Sequence, residues 1–238
     1  GPFTVASHIF TVTQLLMLMM INPEAADTLL QKTTKIVKLW LEAQLENVKT
    51  AKAIMVLDDV CGYFSPDDFT TLCMPYMKEI FSSFPELRHY FHNDFTSNSC
   101  YPHLQEMGVD VFNFTHTQDI VESRKMAGDK VVLMGNVPPM LLVNDTPETV
   151  YNTTKDIVTR YIAANGSHHG LMLSTVEVVF LLEKGDLDVL EEHDLSARVR
   201  LVLSCKDPHE RSLAGAVRSN ESDLVALIYV ESDLLKQD

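Results

Sequence analysis

The sequence predicts an α/β fold, a partial (β/α)8 barrel of the TIM-barrel type, and three observations carry that expectation. Five short apolar runs recur along the chain and each ends in a polar cluster: residues 53–59 (AIMVLDD), 89–94 (HYFHND), 109–115 (VDVFNFT), 130–136 (KVVLMGN) and 170–175 (GLMLST). Each run is strand length and too continuously apolar for a strand with one wet face, which is how parallel strands covered on both faces read. Helical patterns fill the gaps between the runs, and strict strand–helix alternation gives a parallel sheet. Polar groups at the C-terminal ends of successive parallel strands are where such a barrel gathers its chemistry, so the repetition points to an enzyme.

The elements follow in order. Residues 15–21 (LLMLMMI) are too short to span a bilayer and stop at Asn22-Pro23, so they are expected to form a buried helix, with Met17 to Met20 as core filling. Residues 23–48 open with Pro23 and Glu24 and carry apolar positions at helical spacing. Ser65-Pro66-Asp67-Asp68 reads as an N-cap with proline at the first helical position, opening a helix through Phe84. Residues 102–107 make a short helix ended by Gly108, and residues 117–126 another ended near Gly128. Thr146-Pro147 opens a helix over residues 148–164 that Gly166 closes.

An eight-stranded barrel takes about 250 residues, yet the five runs are used up by residue 175. The barrel reading therefore expects about three further strands N-terminal to Gly1. Residues 1–180 are assigned to the barrel. Residues 181–238 form an unassigned tail or small appended segment, with an acidic stretch and two strand-like runs, 198–204 (RVRLVLS) and 224–231 (LVALIYVE).

Composition narrows the function classes. The net charge of −14 lacks the basic footprint that nucleic-acid binding needs and disfavours an anionic membrane surface. Cys61, Cys73, Cys100 and Cys205 show no CxxC spacing, so neither a disulfide framework nor a zinc knuckle is indicated, and a cytoplasmic setting is expected. Sequons at Asn113, Asn144, Asn152, Asn165 and Asn220 read as chance.

The strand ends supply the candidate site. His92 and Asp94 stand two apart, so both side chains are expected to point into the barrel mouth, as a metal-binding or catalytic pair or as a buried imidazole bonded to a carboxylate. Asp58 and Asp59 end the first run; alternation lets only one face inward, and Asp59 is taken because it is nearer the loop. Asn136 with Gly135 shapes the end of the fourth strand or donates a hydrogen bond to substrate. His116 is a further substrate-binding candidate or a loop histidine in solvent. The His168-His169 pair reads as surface at the closed end of the barrel. Cys61 lies close enough to the aspartate pair to approach the site.

Three blocks of residues together resemble the uroporphyrinogen decarboxylase superfamily over about residues 1–178: GPFT at the start with Asn22-Pro23-Glu24, then DDVCGYFSPDDFTTLCMPY from Asp58, then Gly135-Asn136-Val137-Pro138-Pro139 followed by Thr146-Pro147-Glu148-Thr149-Val150. The resemblance implies an eight-stranded (β/α) barrel. It also implies either a decarboxylase acting on porphyrinogens in porphyrin biosynthesis, without a cofactor, or a methyltransferase exchanging methyl groups with a corrinoid protein. In the methyltransferase branch this second strand ends in a His-x-Cys zinc motif completed by a later cysteine. Here His92-Asn93-Asp94 and Ser174-Thr175-Val176-Glu177 stand in those places, which implies a harder site of His92, Asp94 and Glu177 holding zinc or another divalent ion. The decarboxylase branch holds its multiply charged substrate with several arginines, and Arg88, Arg124 and Arg160 are expected at helix or loop positions away from the strand ends.

The leading expectation is thus a methyltransferase-like enzyme with a metal-activated acceptor and a corrinoid protein as partner. The second is uroporphyrinogen decarboxylation of a tetrapyrrole substrate. The third is an inactive or incomplete barrel, whose open parallel sheet would leave two raw edges.

Overall fold

The computed structural model describes residues 1–175. Three helices come first: α1 (Pro2–Ile9), α2 (Val12–Ile21) and α3 (Pro23–Asn47). The strands follow as β1 (Ala53–Leu57), β2 (Arg88–Asn93), β3 (Val111–Phe114), β4 (Val132–Met134) and β5 (Leu171–Met172). All neighbours are parallel and the spatial order is the sequence order. Between β1 and β2 lie a 3-10 turn (Asp59–Tyr63), α4 (Pro66–Asp68), a π turn (Phe69–Cys73) and α5 (Met74–Ser82). Then come α6 (Leu104–Met107), α7 (Ile120–Ala127), α8 (Pro139–Asn144) and α9 (Pro147–Asn165). This is the α/β partial barrel that the five runs predict.

Register aligns the strands in layers. Leu57, His92, Asn113, Met134 and Met172 are successive partners across the sheet, and Met55, Tyr90, Val111 and Val132 form the layer below. Alternation sends these side chains to one face, where Ala53, Met55, Tyr90, Val111 and Met134 make a buried cluster. Ile54, Val56, Phe91, Phe112, Phe114 and Leu133 go to the other face and join the helices in the main core. Phe112 is fully buried, stacked on Phe91 at 5.5 Å between ring centroids and edge-on to Tyr101 at 5.0 Å. Burial of one such ring contributes about 2–3 kcal/mol before entropy is counted. Two-sided burial is why the strands lack alternation in sequence.

Three elements differ from the sequence expectation. The stretch from Val12 to Ile21 is a helix but not a buried one: only Leu15 is buried, while Met20 and Ile21 are 84% and 75% exposed. It is apolar all round, and packing against α3 covers one side of it. The helix expected from Ser65 to Phe84 is interrupted. Pro75 has no N–H to give a carbonyl four residues back, and the ladder widens just before it, with the Met74 N–H bonding the Phe69 carbonyl. The helix expected from Thr117 starts at Ile120, because Asp119 caps it by accepting the Val121 and Glu122 amides.

Arg88 opens β2 rather than lying in a helix or loop, at the strand end opposite the candidate site. Arg124 of α7 donates to the carbonyls of Gly128, Val131 and Gly170, fastening the turns before β4 and β5. His168 and His169 are exposed there. Among the described residues no single helix is long and apolar enough to cross a membrane. Glu177 and the tail from 181 to 238 lie outside the described residues.

Candidate functional site

At the C-terminal ends of β1, β2 and β3 the structure brings Asp59, His92, Asp94 and Asn113 together. His92 and Asn113 are register partners, and the His92 Nδ1 to Asn113 Oδ1 distance is 2.6 Å. The amide orientation is set on its other side, where Asn113 Nδ2 donates to the Met134 carbonyl at 2.8 Å. The Asn113 oxygen must therefore accept, so Nδ1 of His92 carries a proton. Nε2 faces the Asp59 carboxylate, with Oδ1 at 3.8 Å. His92 is buried, whereas the Asp59 side chain is half exposed.

The two adjacent aspartates have separate tasks. Asp58 is fully buried and accepts from the Phe3 amide (2.9 Å), the Thr4 amide (3.2 Å) and the Thr4 hydroxyl (3.0 Å). Gly1, at the N-cap of α1, has no side chain to cap that helix, and Asp58 supplies the carboxylate from β1. A Cβ on Gly1 would stand 2.5 Å from Asp58 Oδ2, so the approach requires glycine. Asp59 enters the 3-10 turn and swings to the mouth, where its Oδ1 also accepts the Asp94 amide at 2.7 Å. Asp94 is half-buried one residue past β2. Asn93 ties the same corner by donating to the Asp58 carbonyl at 2.7 Å.

Asn136 is buried and donates to the Gln118 carbonyl at 2.6 Å, while Gln118 donates to the Thr96 carbonyl. These bonds tie the loops after β4, β3 and β2 together, so the Asn136 amide nitrogen is engaged in holding the rim. His116 is exposed in the turn after β3. Cys61 is fully buried, and burial, then the neighbouring Cys73 thiol, push its pKa well up, so it is no nucleophile.

Asn113 belongs to this cluster and was not singled out by the sequence reading. An amide inside the apolar run VFNF was the available signal for Asn113, since a buried amide demands partners. Tyr63 closes the 3-10 turn, is 54% exposed and pairs with Phe95 at 4.4 Å between ring centroids.

Among the described residues the charge of the strand-end loops is one-sided. The loops at the strand ends, residues 58–70, 93–103, 115–119 and 135–138, contain six aspartates and no Lys or Arg; Arg160 reaches in from α9 to pair with Asp119. As for a metal, His92 Nε2 and Asp59 Oδ1 offer a nitrogen and an oxygen donor. Among the described residues, however, no three His, Cys, Asp or Glu side chains converge closely enough to hold an ion. A complete metal site requires a donor from beyond them.

The fold and site define a barrel-type α/β scaffold with a polar cluster at the C-terminal strand ends. The chain matches the uroporphyrinogen decarboxylase (URO-D) family model over residues 1–178 and belongs to that family. Its relatives include uroporphyrinogen decarboxylase 2, chloroplastic, of Oryza sativa subsp. japonica, 29% identical over 74% of this chain and 48% of the relative. The chloroplastic uroporphyrinogen decarboxylase of Nicotiana tabacum is 28% identical over 76% of this chain and 48% of its own. The chain thus spans about half the length of the curated relatives it matches. A solved methyltransferase from Methanosarcina mazei superposes with a TM-score of 0.66 at 18% identity, covering 80% of this chain and 55% of that one, and shares the fold.

Proposed function

We propose that the chain is a methyltransferase-like member of the family, working on a small acceptor at the barrel mouth with a corrinoid protein as methyl-carrying partner. The observation that carries this reading is the His92 imidazole, held at Nδ1 by Asn113 with its Nε2 turned toward Asp59. A metal-ligating histidine is held in the same way, by a hydrogen bond from its other ring nitrogen. The proposed ligands are His92, Asp94 and Glu177, for zinc or another divalent ion. Such an ion, when bound, lowers the pKa of a coordinated nucleophile. The chain's own groups do the rest: Asn113 holds the ring at Nδ1, Asp59 places a negative charge 3.8 Å from Nε2, and the Asn136–Gln118 bond holds the loops around them.

The second reading is uroporphyrinogen decarboxylation, favoured by the names of the curated relatives. A multiply anionic porphyrinogen calls for cationic partners, and the described strand-end loops offer aspartates, so this reading needs those partners from outside the described residues. Metal content separates the two. Near-stoichiometric metal in the purified chain, lost in both His92→Ala and Asp94→Ala, supports the first. A folded chain that takes up no added zinc, manganese or cobalt and releases carbon dioxide from uroporphyrinogen overturns it.

A further inference from the structure

His89 lies near the N-terminal end of the sheet, away from the strand ends that carry the candidate site. The alternation that sends Phe91 to the helices sends His89 there too, and it is buried, 8% exposed. Its ring reaches two backbone carbonyls. Nδ1 stands 2.7 Å from the carbonyl of Gly108, the left-handed residue that ends α6. Nε2 stands 2.9 Å from the carbonyl of Phe84, two residues past α5. Phe81 of α5 packs on the ring at 5.2 Å between centroids. The main chain is anchored in the same corner: the His89 amide donates to Asp110 Oδ2 at 2.8 Å, and its carbonyl accepts the Asp110 amide at 2.9 Å.

A carbonyl oxygen only accepts, so each of the two ring contacts needs an N–H from the imidazole. A neutral ring has one N–H and would turn a lone pair on the second carbonyl; an imidazolium has two. A cation also suits the place, because the carbonyls that follow a helix form the negative end of its dipole and the Phe81 ring lies alongside. We infer that His89 is held as an imidazolium that staples the ends of α5 and α6 to β2, a proton-dependent latch. When the proton leaves, one carbonyl loses its donor in a buried corner and the turn that carries it loosens, so the latch weakens as pH rises. The charged groups on the surrounding elements are Asp110, Glu86 and Arg88 in the chain around the ring, and the Lys78–Glu106 pair between α5 and α6 at 3.3 Å. Carboxylates, lysine and arginine ordinarily titrate outside the range of histidine, so a transition between about pH 5.5 and 8.5 is not theirs. The latch goes beyond the proposed activity and shares no residue with its site.

The test is an NMR titration of the nitrogen-15-labelled full chain across about pH 5.5–8.5. It follows the His89 ring nitrogens together with two amides: Leu87, which donates to the Phe84 carbonyl at 3.1 Å, and Val109, which follows Gly108. Both ring nitrogens should carry protons at the acid end. The Leu87 and Val109 amides should move with the same midpoint as the ring. Corrected for base catalysis, their exchange with solvent should be about 2- to 10-fold faster at the alkaline end, the equivalent of one lost hydrogen bond. In His89→Gln, which cannot take a charge, the amides should show no such transition, whereas His168→Gln, on the surface, should keep it. A ring with a single protonated nitrogen at every pH overturns the inference. So does a ring that titrates while both amides stay still, or the same transition persisting in His89→Gln. Should that variant fail to fold, the first two outcomes in the wild type still decide.

Discussion

Asn113 holds the Nδ1 side of His92: one end of its amide accepts from Nδ1 at 2.6 Å and the other donates to the Met134 carbonyl at 2.8 Å. Replacing it with leucine keeps the volume but frees the ring. In nitrogen-detected NMR, Nδ1 of His92 should carry a proton in the wild type, and Asn113→Leu should abolish that fixed assignment. Removing the amide also leaves the Met134 carbonyl without its donor, at a cost of about 1–3 kcal/mol.

Asp58 should prove structural, in contrast to its neighbour. Asp58→Ala strips the Phe3 and Thr4 amides of their acceptor at the start of α1, so a stability loss of about 2 kcal/mol is expected by urea titration. Asp59→Ala, half exposed, should change stability by less than about 0.5 kcal/mol.

Gly62 and Phe95 should be coupled. Gly62→Ala alone forces Phe95 aside and should destabilise by about 1–3 kcal/mol. In a Phe95→Gly background, which removes the Cβ 2.1 Å away as well as the ring, the same change has room for its methyl group, and its cost should fall to within about 0.5 kcal/mol of zero. Independent, additive losses in a double-mutant cycle would show that the close approach is not the cause.

Acid stability should carry a signature of Asp119. Partial burial pushes its carboxyl up, but the Arg160 guanidinium and the amides at the start of α7 outweigh this and hold it below its usual value. A carboxylate depressed in the folded state contributes stability that is fully present above its unfolded pKa of about 3.9. That contribution is lost as pH falls through the lower folded value. Asp119→Asn should therefore lower stability at neutral pH and flatten its decline below about pH 4, measured by thermal melts across pH 2.5–7 or so.

The strands were legible because burial on both faces leaves a continuous apolar run, and the caps at Thr146 and Gly166 because their geometry demands those residue types. The gathering of Asp59, His92 and Asn113 at one end of the sheet was legible because each stands in or just after the end of an apolar run. Which aspartate turned inward did not follow from alternation, since the chain leaves strand geometry at Asp59 and enters a 3-10 turn. Asn113 sat in plain view within an apolar run, but its partners come from β2 and β4, and spacing along one strand does not show them. The exposure of Met20 and the π turn before Pro75 were hidden for a similar reason: each depends on what packs alongside, not on the local pattern.

The aspartates of the described strand-end loops, which contain no Lys or Arg, also bear on how fast things arrive. A concave surface of one sign gathers ions of the other from solution and turns away its own kind. Added salt should therefore slow the association of a cationic ligand with this barrel mouth and speed that of an anionic one, whatever their final affinities. The ionic-strength slope of an on-rate reads the charge of whatever molecule the mouth evolved to receive before that molecule has been named.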